Sequence, residues 1–410
     1  MIKTILIISS LPIYNMKGNI GIKVLNKTIN GFLKDGWNVK LIYPTRNESE
    51  SNLSYFNKKI NEQTFNAGLY YKIASKRYFS FLAKLFFWVY FYYKVKIIYT
   101  KYFKNECFDV IYCIGPLSNF TASKIISSNK RCIRVARYLG VASTYERYLK
   151  RYLKILTLPD ILGYKTKTDV TIITDDGTKG EEFIKQLQPD IKDIYFLRNG
   201  IDKNLFNSLD SNTYILNKYQ LNKDTKILLT VGRLSKLKRI DRSINLIPTI
   251  IKSYENVCLV IVGNGELYNE LVFLSAKNKC ENKIIFSDAV PHEELIHYYN
   301  SADIYLSFYD TSNAGNPLFE AMTTGNCIVT INTGDTKKFL PDGTGFVMDK
   351  NNMTEVANKI IELLKNDEHR EKIGENARIY AQINIPDWDK RIKYEIDIIS
   401  DKLRSINISN

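Results

Sequence analysis

The chain has 410 residues, 45% of them apolar and 25% charged, with a net charge of +15. That length exceeds one ordinary core and suits two domains, and the composition excludes a disordered chain. The charge is one-sided: residues 1–200 hold 32 Lys and Arg against 15 Asp and Glu, residues 201–410 hold 26 against 28. The first half is therefore expected to face phospholipid, nucleic acid or a phosphorylated substrate, unless it is only a solvated basic surface.

Met1–Ser10 lacks a small-residue cleavage site and reads as a first strand, not a signal peptide. A glycine-containing loop and an amphipathic helix over Ile22–Lys34 follow it. Further buried strands are predicted at Val39–Tyr43, Val110–Ile114, Ile133–Arg137, Val170–Thr174 and Ile194–Leu197. Lys72–Lys104 holds thirteen aromatics and eight Lys or Arg with no acidic residue, the pattern of an interfacial membrane helix or of a buried core helix. Arg131, Arg134, Arg137, Arg147, Lys150, Arg151 and Lys154 form a second cationic cluster suited to an anionic bilayer. No run of 18 uncharged apolar residues exists, so no transmembrane helix is predicted.

A turn at Asn199-Gly-Ile-Asp202 marks the join between domains. Strand, loop and helix then repeat, with Lys226–Gly232 leading to a helix over Arg239–Ser253. Strands are expected at Val257–Val262, Lys283–Phe286, Ile304–Phe308, Ile328–Thr330 and Gly345–Val347. Helices follow at Thr354–Asn366, Glu371–Gln382 and from Pro386 onward. The economical architecture is α/β, with two Rossmann-like doubly wound parallel-sheet domains, 1–202 and 203–385, and a C-terminal helix over 386–410. Six cysteines without a CxxC pair read as reduced thiols, and the three dispersed histidines argue against a transition-metal site.

Two stretches carry chemistry. In Ser312–Gly325, Gly315 lets a backbone approach a ligand and Pro317 suits the first turn of a helix whose N–H groups would face a diphosphate. Glu320 can accept from two ribose hydroxyls or compensate the helix dipole. In Val231–Asp241 a strand ends at Gly232 and Arg233 and Lys238 follow, at the sheet edge where ligands bind in such folds. Two cations there would neutralise a leaving diphosphate.

With both stretches in hand, the chain resembles the family-4 retaining glycosyltransferases of GT-B fold, most sharply from Leu197 to Asp349. The resemblance rests on Leu197-Arg-Asn-Gly-Ile-Asp202, Val231-Gly-Arg-Leu with Lys238, Val260-Ile-Val-Gly-Asn-Gly265 and Asn316-Pro-Leu-Phe-Glu-Ala-Met322. It implies two domains facing each other across a cleft, with a last helix near Trp388 crossing back to the first. It implies that Arg233 and Lys238 hold the donor diphosphate and Glu320 the ribose. Gly232, Gly263 and the first-domain Gly18 would approach the phosphates, and main chain near Val290 would meet the nucleobase. Asn313, Ala314, Gly315, Asn316, Pro317 and Leu318 would line the transferred sugar. Ser312 stands where the family usually has a glutamate, and Asp310 is the nearest substitute. Arg137 and Asp175 or Asp176 are the candidates on the acceptor side. No metal or cofactor is implied, because the mechanism proposed for the family needs no protein nucleophile and the cations stabilise the leaving group. The expected partners are a UDP- or GDP-linked sugar, a lipid-linked or surface glycan acceptor, and the inner face of the cell membrane, in a cytoplasmic protein. A non-catalytic nucleotide-sugar-binding protein is the alternative. Nothing resembling a nucleic-acid-binding motif accompanies the charge.

Overall fold

A computed structural model describes residues 2–12, 23–46, 60–74, 80–126, 132–141, 154–206 and 213–408. The chain divides into two units: Met1–Asp175, Lys179–Asn199 and Trp388–Asn410 form the first, Asp176–Thr178 and Gly200–Asp387 the second.

The first unit is built on seven parallel strands in the order β3-β2-β1-β4-β5-β6-β7. They are β1 (Thr4–Ser9), β2 (Asn38–Thr45), β3 (Asn61–Asn66), β4 (Val110–Ile114), β5 (Ile133–Tyr138), β6 (Val170–Thr174) and β7 (Ile194–Leu197). The apolar strands are buried on both faces, which is what a sheet covered by helices demands. β3 was not expected: its sequence NEQTFN has no apolar alternation, and as an edge strand it is fixed by its backbone pairing to β2.

One face of this sheet packs on helices Lys23–Lys34 and Trp388–Ile408 through Ile29, Phe32, Tyr112, Ile392 and Ile396. Those two helices approach so closely that a Cβ on Gly31 would lie 2.1 Å from Ile392 Cγ2. The other face packs on helix Ser80–Ile98. Phe87, Phe91, Val95 and Ile98 of that helix recur at core spacing and are buried, while Phe86, Val89, Tyr93 and Ile97 are exposed on another side. Burial and exposure are thus divided between two sides of this helix.

The second unit has six parallel strands in the order β10-β9-β8-β11-β12-β13. They are β8 (Lys226–Val231), β9 (Val257–Val262), β10 (Ile284–Phe286), β11 (Ile304–Ser307), β12 (Cys327–Ile331) and β13 (Phe346–Met348). Strand order reverses at β8, which pairs with β9 on one side and β11 on the other. Cores on both faces join this sheet to helices Ile240–Ser253, Met353–Lys365 and Asp367–Asn384. The last helix of the chain starts at Trp388 rather than Pro386, since Pro386 is engaged through its carbonyl with the Ile201 amide. Among the described residues, no helix is long and apolar enough to cross a membrane.

Candidate functional site

The reversal of strand order creates a place where two loops leave the same sheet edge and diverge, the usual ligand site of such sheets. The loop after β8 runs Gly232–Arg239, and the loop after β11 runs Phe308–Gly315. The two are stitched together. Tyr309 Oη donates to Val231 O at 2.9 Å, and the Asp310 amide donates to Leu237 O at 3.1 Å. Arg239 and Arg242 reach the Asp310 carboxylate at 3.2 and 2.8 Å. Arg239 adopts φ +48°, a left-handed conformation costly for a side-chain-bearing residue, and its guanidinium also binds Asp241 at 2.8 Å.

Lys238 lies over Tyr309, with Nζ 3.7 Å from the ring centroid. Burial pushes the ammonium down to about 8, against the opposing charge of Asp176. Arg233 is different: its side chain is 74% exposed and pairs with Glu266 at 3.3 Å, a surface contact easily exchanged for a ligand. Gly263 crosses directly beneath the first loop. At φ +141° a Cβ there would meet Gly232 O at 2.0 Å, so the close approach of the two loops requires glycine.

The helix Asn316–Thr323 begins after Gly315 with Pro317 in its first turn, as expected. Its amides differ from the expectation. Ala314 N donates to Ser312 Oγ at 3.1 Å, Gly315 N to Asn313 O at 2.9 Å and Leu318 N to Gly315 O at 3.0 Å. Pro317 has no N–H. These donors are used within the loop, and the dipole and the cations remain for an anion.

Three of the expected site residues have protein partners. The Asn313 side chain is buried, accepts from Tyr309 N and donates to Ile331 O and Thr333 Oγ1. Asp310, the carboxylate nearest Ser312 in sequence, binds Arg239 and Arg242. Arg137 is 1% exposed within the first unit, donates to Tyr138 O and lies 3.7 Å from Glu395. It is a core cation and faces no acceptor. Asp175 pairs with Arg198 at 3.9 Å. Gly18, Arg131, Arg147, Lys150 and Arg151 lie outside the described residues.

Glu320 is 4% exposed on the first helix turns and accepts from Tyr299 Oη at 3.2 Å. Val290 lies half-buried in the loop between β10 and helix His292–Asn300, packed against the same core as Leu318. The sequence reading missed Tyr309, Arg239 and Arg242. The φ of Arg239 and the ring seat under Lys238 have no signature in a single sequence.

Comparison with known proteins agrees with this geometry. Residues 212–380 match the family model of glycosyl transferases group 1. An uncharacterized glycosyltransferase of Methanocaldococcus jannaschii is 27% identical over 300 residues, 72% of this chain and 71% of that protein. Other curated relatives are matched over about half of their own length. Among solved structures, sucrose-phosphate synthase from Thermosynechococcus elongatus superposes with a TM-score of 0.76 at 15% identity, covering 98% of this chain and 100% of that one. Anabaena HepE in complex with UDP-glucose gives 0.68 at 16% identity, covering 98% and 99%. These two likenesses establish the GT-B fold.

Proposed function

We propose, from the match of residues 212–380 to the family model of glycosyl transferases group 1, that the chain is a retaining hexosyltransferase, moving a sugar from a UDP- or GDP-linked donor to a lipid-linked or surface glycan. The observation that carries this reading is that Arg233 and Lys238 follow β8 and Glu320 stands on the helix that follows β11, beside the point where strand order reverses. UDP is the favoured leaving group, since a neighbour of the same fold is described with UDP-glucose.

In this reading Lys238 and Arg233 bind the diphosphate and stabilise the charge that grows as its bond to the anomeric carbon breaks. An acceptor hydroxyl attacks that carbon on the face the diphosphate leaves, and its proton passes to the departing phosphate oxygen. The nucleoside diphosphate is released, with no protein nucleophile and no metal required. Catalysis rests on positioning and charge stabilisation. The basic first half and the exposed Phe86, Val89, Tyr93 and Ile97 support peripheral contact with an anionic membrane from the cytoplasmic side.

Thermal shift against UDP, GDP, ADP and their sugars without added metal tests the reading. One nucleotide series should raise the melting temperature, and the shift should disappear in Glu320→Ala. No shift with any of them would sink the proposal. The second reading, a nucleotide-sugar binder without transfer, is favoured by Ser312 and by the occupied Asp310 carboxylate. Donor hydrolysis or transfer by the purified protein rejects it.

A further inference from the structure

The loop that follows β10 is held at its start by main-chain bonds. Ser287 N donates to Ile261 O at 2.9 Å, and Asp288, at φ +56°, accepts from the Gly263 amide at 2.8 Å. Gly263 is the residue that crosses beneath the loop after β8, so the two loops are joined at the carboxyl edge of the second sheet. The Val290 side chain packs on the core, while the backbone of Ala289 and Val290 makes no hydrogen bond to any described residue. Two consecutive peptide groups are therefore left for solvent or a ligand.

Ser287 is also one end of a polar network. Lys218 Nζ donates to Glu294 Oε1 at 2.7 Å, to Tyr298 Oη at 2.8 Å and to Tyr214 Oη at 3.3 Å, which uses its three N–H groups. Tyr214 Oη donates to the same Glu294 oxygen at 2.6 Å. The Lys218 ammonium, then the Tyr214 hydroxyl, hold the Glu294 carboxyl below the usual carboxylate range. Tyr298 is fully buried, and its hydroxyl stands 2.6 Å from Ser287 Oγ and 3.1 Å from Tyr219 Oη. A hydroxyl has one hydrogen and two lone pairs, so Lys218, Ser287 and Tyr219 together fill its capacity. The Lys218–Glu294 pair is partly exposed and weak by itself. The buried Tyr298 end is where a lost partner is costly and position is fixed.

We propose that Tyr298, oriented by Lys218, is a positioning residue for nucleobase selection: through Ser287 it fixes the loop Ser287–Pro291 so that the Ala289 and Val290 peptide groups meet the hydrogen-bonding edge of a base. The inference rests on the reading of the second unit as a nucleotide site. The network touches no reacting atom and acts on which base is bound. A displaced peptide group forfeits its hydrogen bond to the right base and no longer leaves the wrong base with an unpaired group.

The test is titration calorimetry of UDP, CDP, GDP and ADP on the full chain. Wild type is expected to prefer one base by roughly tenfold or more, the loss expected when a wrong base leaves a hydrogen bond unmade. Tyr298→Phe deletes the hydroxyl alone and should narrow that preference to within about threefold, mainly by weakening the preferred nucleotide. Ser287→Ala removes the other end of the contact from a half-exposed position and should do the same. Lys218→Met should narrow the preference too, and Lys218→Arg, which keeps N–H donors, should restore most of it. A preference that survives in both Tyr298→Phe and Ser287→Ala overturns the assignment. Equal weakening of all four nucleotides overturns it as well, since a merely structural role would give that result. Wild type binding all four alike overturns the inference and leaves the nucleotide site standing, whereas wild type binding none removes the nucleotide reading itself.

Discussion

The Nζ of Lys238 stands 3.7 Å above the centroid of the Tyr309 ring, and the Tyr309 hydroxyl in turn donates to Val231 O at 2.9 Å. One aromatic side chain thus seats the cation and ties the loop after β11 to the end of β8. The ring offers Lys238 a cation–π contact in place of the water that burial removes.

This seat should make nucleotide binding pH-dependent. Burial brings the Lys238 ammonium down to about 8. The protonated form attracts a diphosphate, so affinity should hold below that value and fall as pH rises through it. One coupled proton limits the fall to about tenfold per pH unit. Calorimetry from neutral to alkaline pH checks this, and Lys238→Arg should flatten the profile because guanidinium keeps its charge. An unchanged slope in the arginine variant would assign the dependence elsewhere.

Asp310 ties the loop after β11 to two arginines beside the loop after β8. It clamps Arg239 and Arg242 at 3.2 and 2.8 Å. Asp310→Ala loosens the loop that carries Lys238 and should therefore weaken UDP and UDP-sugar binding by the same factor, which calorimetry measures. Were the carboxylate reading the sugar, only UDP-sugar affinity would drop.

Glu395 should be a stability residue. It is fully buried, accepts from Arg391 at 2.6 Å and from Tyr112, and faces Arg137 at 3.7 Å. Burial opposes its charge, yet the Arg391 and Arg137 guanidiniums hold its carboxyl below the usual range. Glu395→Gln leaves two buried cations without a balancing charge and is expected to cost about 3–5 kcal/mol. Denaturant unfolding measures this, and a loss below about 1 kcal/mol would show that the cluster relaxes freely.

The exposed face of helix Ser80–Ile98 predicts vesicle binding. Val89 and Tyr93 are 53% and 58% exposed, so Val89→Glu with Tyr93→Glu should leave the fold intact. Co-sedimentation with phosphatidylglycerol vesicles should fall by roughly tenfold or more, given the apolar area withdrawn from lipid. Unchanged sedimentation would remove this face from the membrane contact.

The strand sequence was legible wherever burial on both faces wrote itself as an apolar, β-branched run: β4, β6 and β9 fall on the expected residues. The start of the helix at Pro317 was legible too, because proline carries its backbone constraint in the residue itself. β3 was not, since an edge strand can be polar and is set by its neighbour's backbone. Nor were the fates of polar side chains. Arg137 finds Glu395, Asp310 finds Arg239, and Asn313 finds Ile331 and Thr333, each across a stretch of chain that sequence spacing does not bridge. Local sequence determined where the chain bends and which faces are apolar. Only the tertiary structure decided which polar groups are consumed by partners and which remain for a ligand, because a buried polar group must pair with whatever packing brings within about 3 Å.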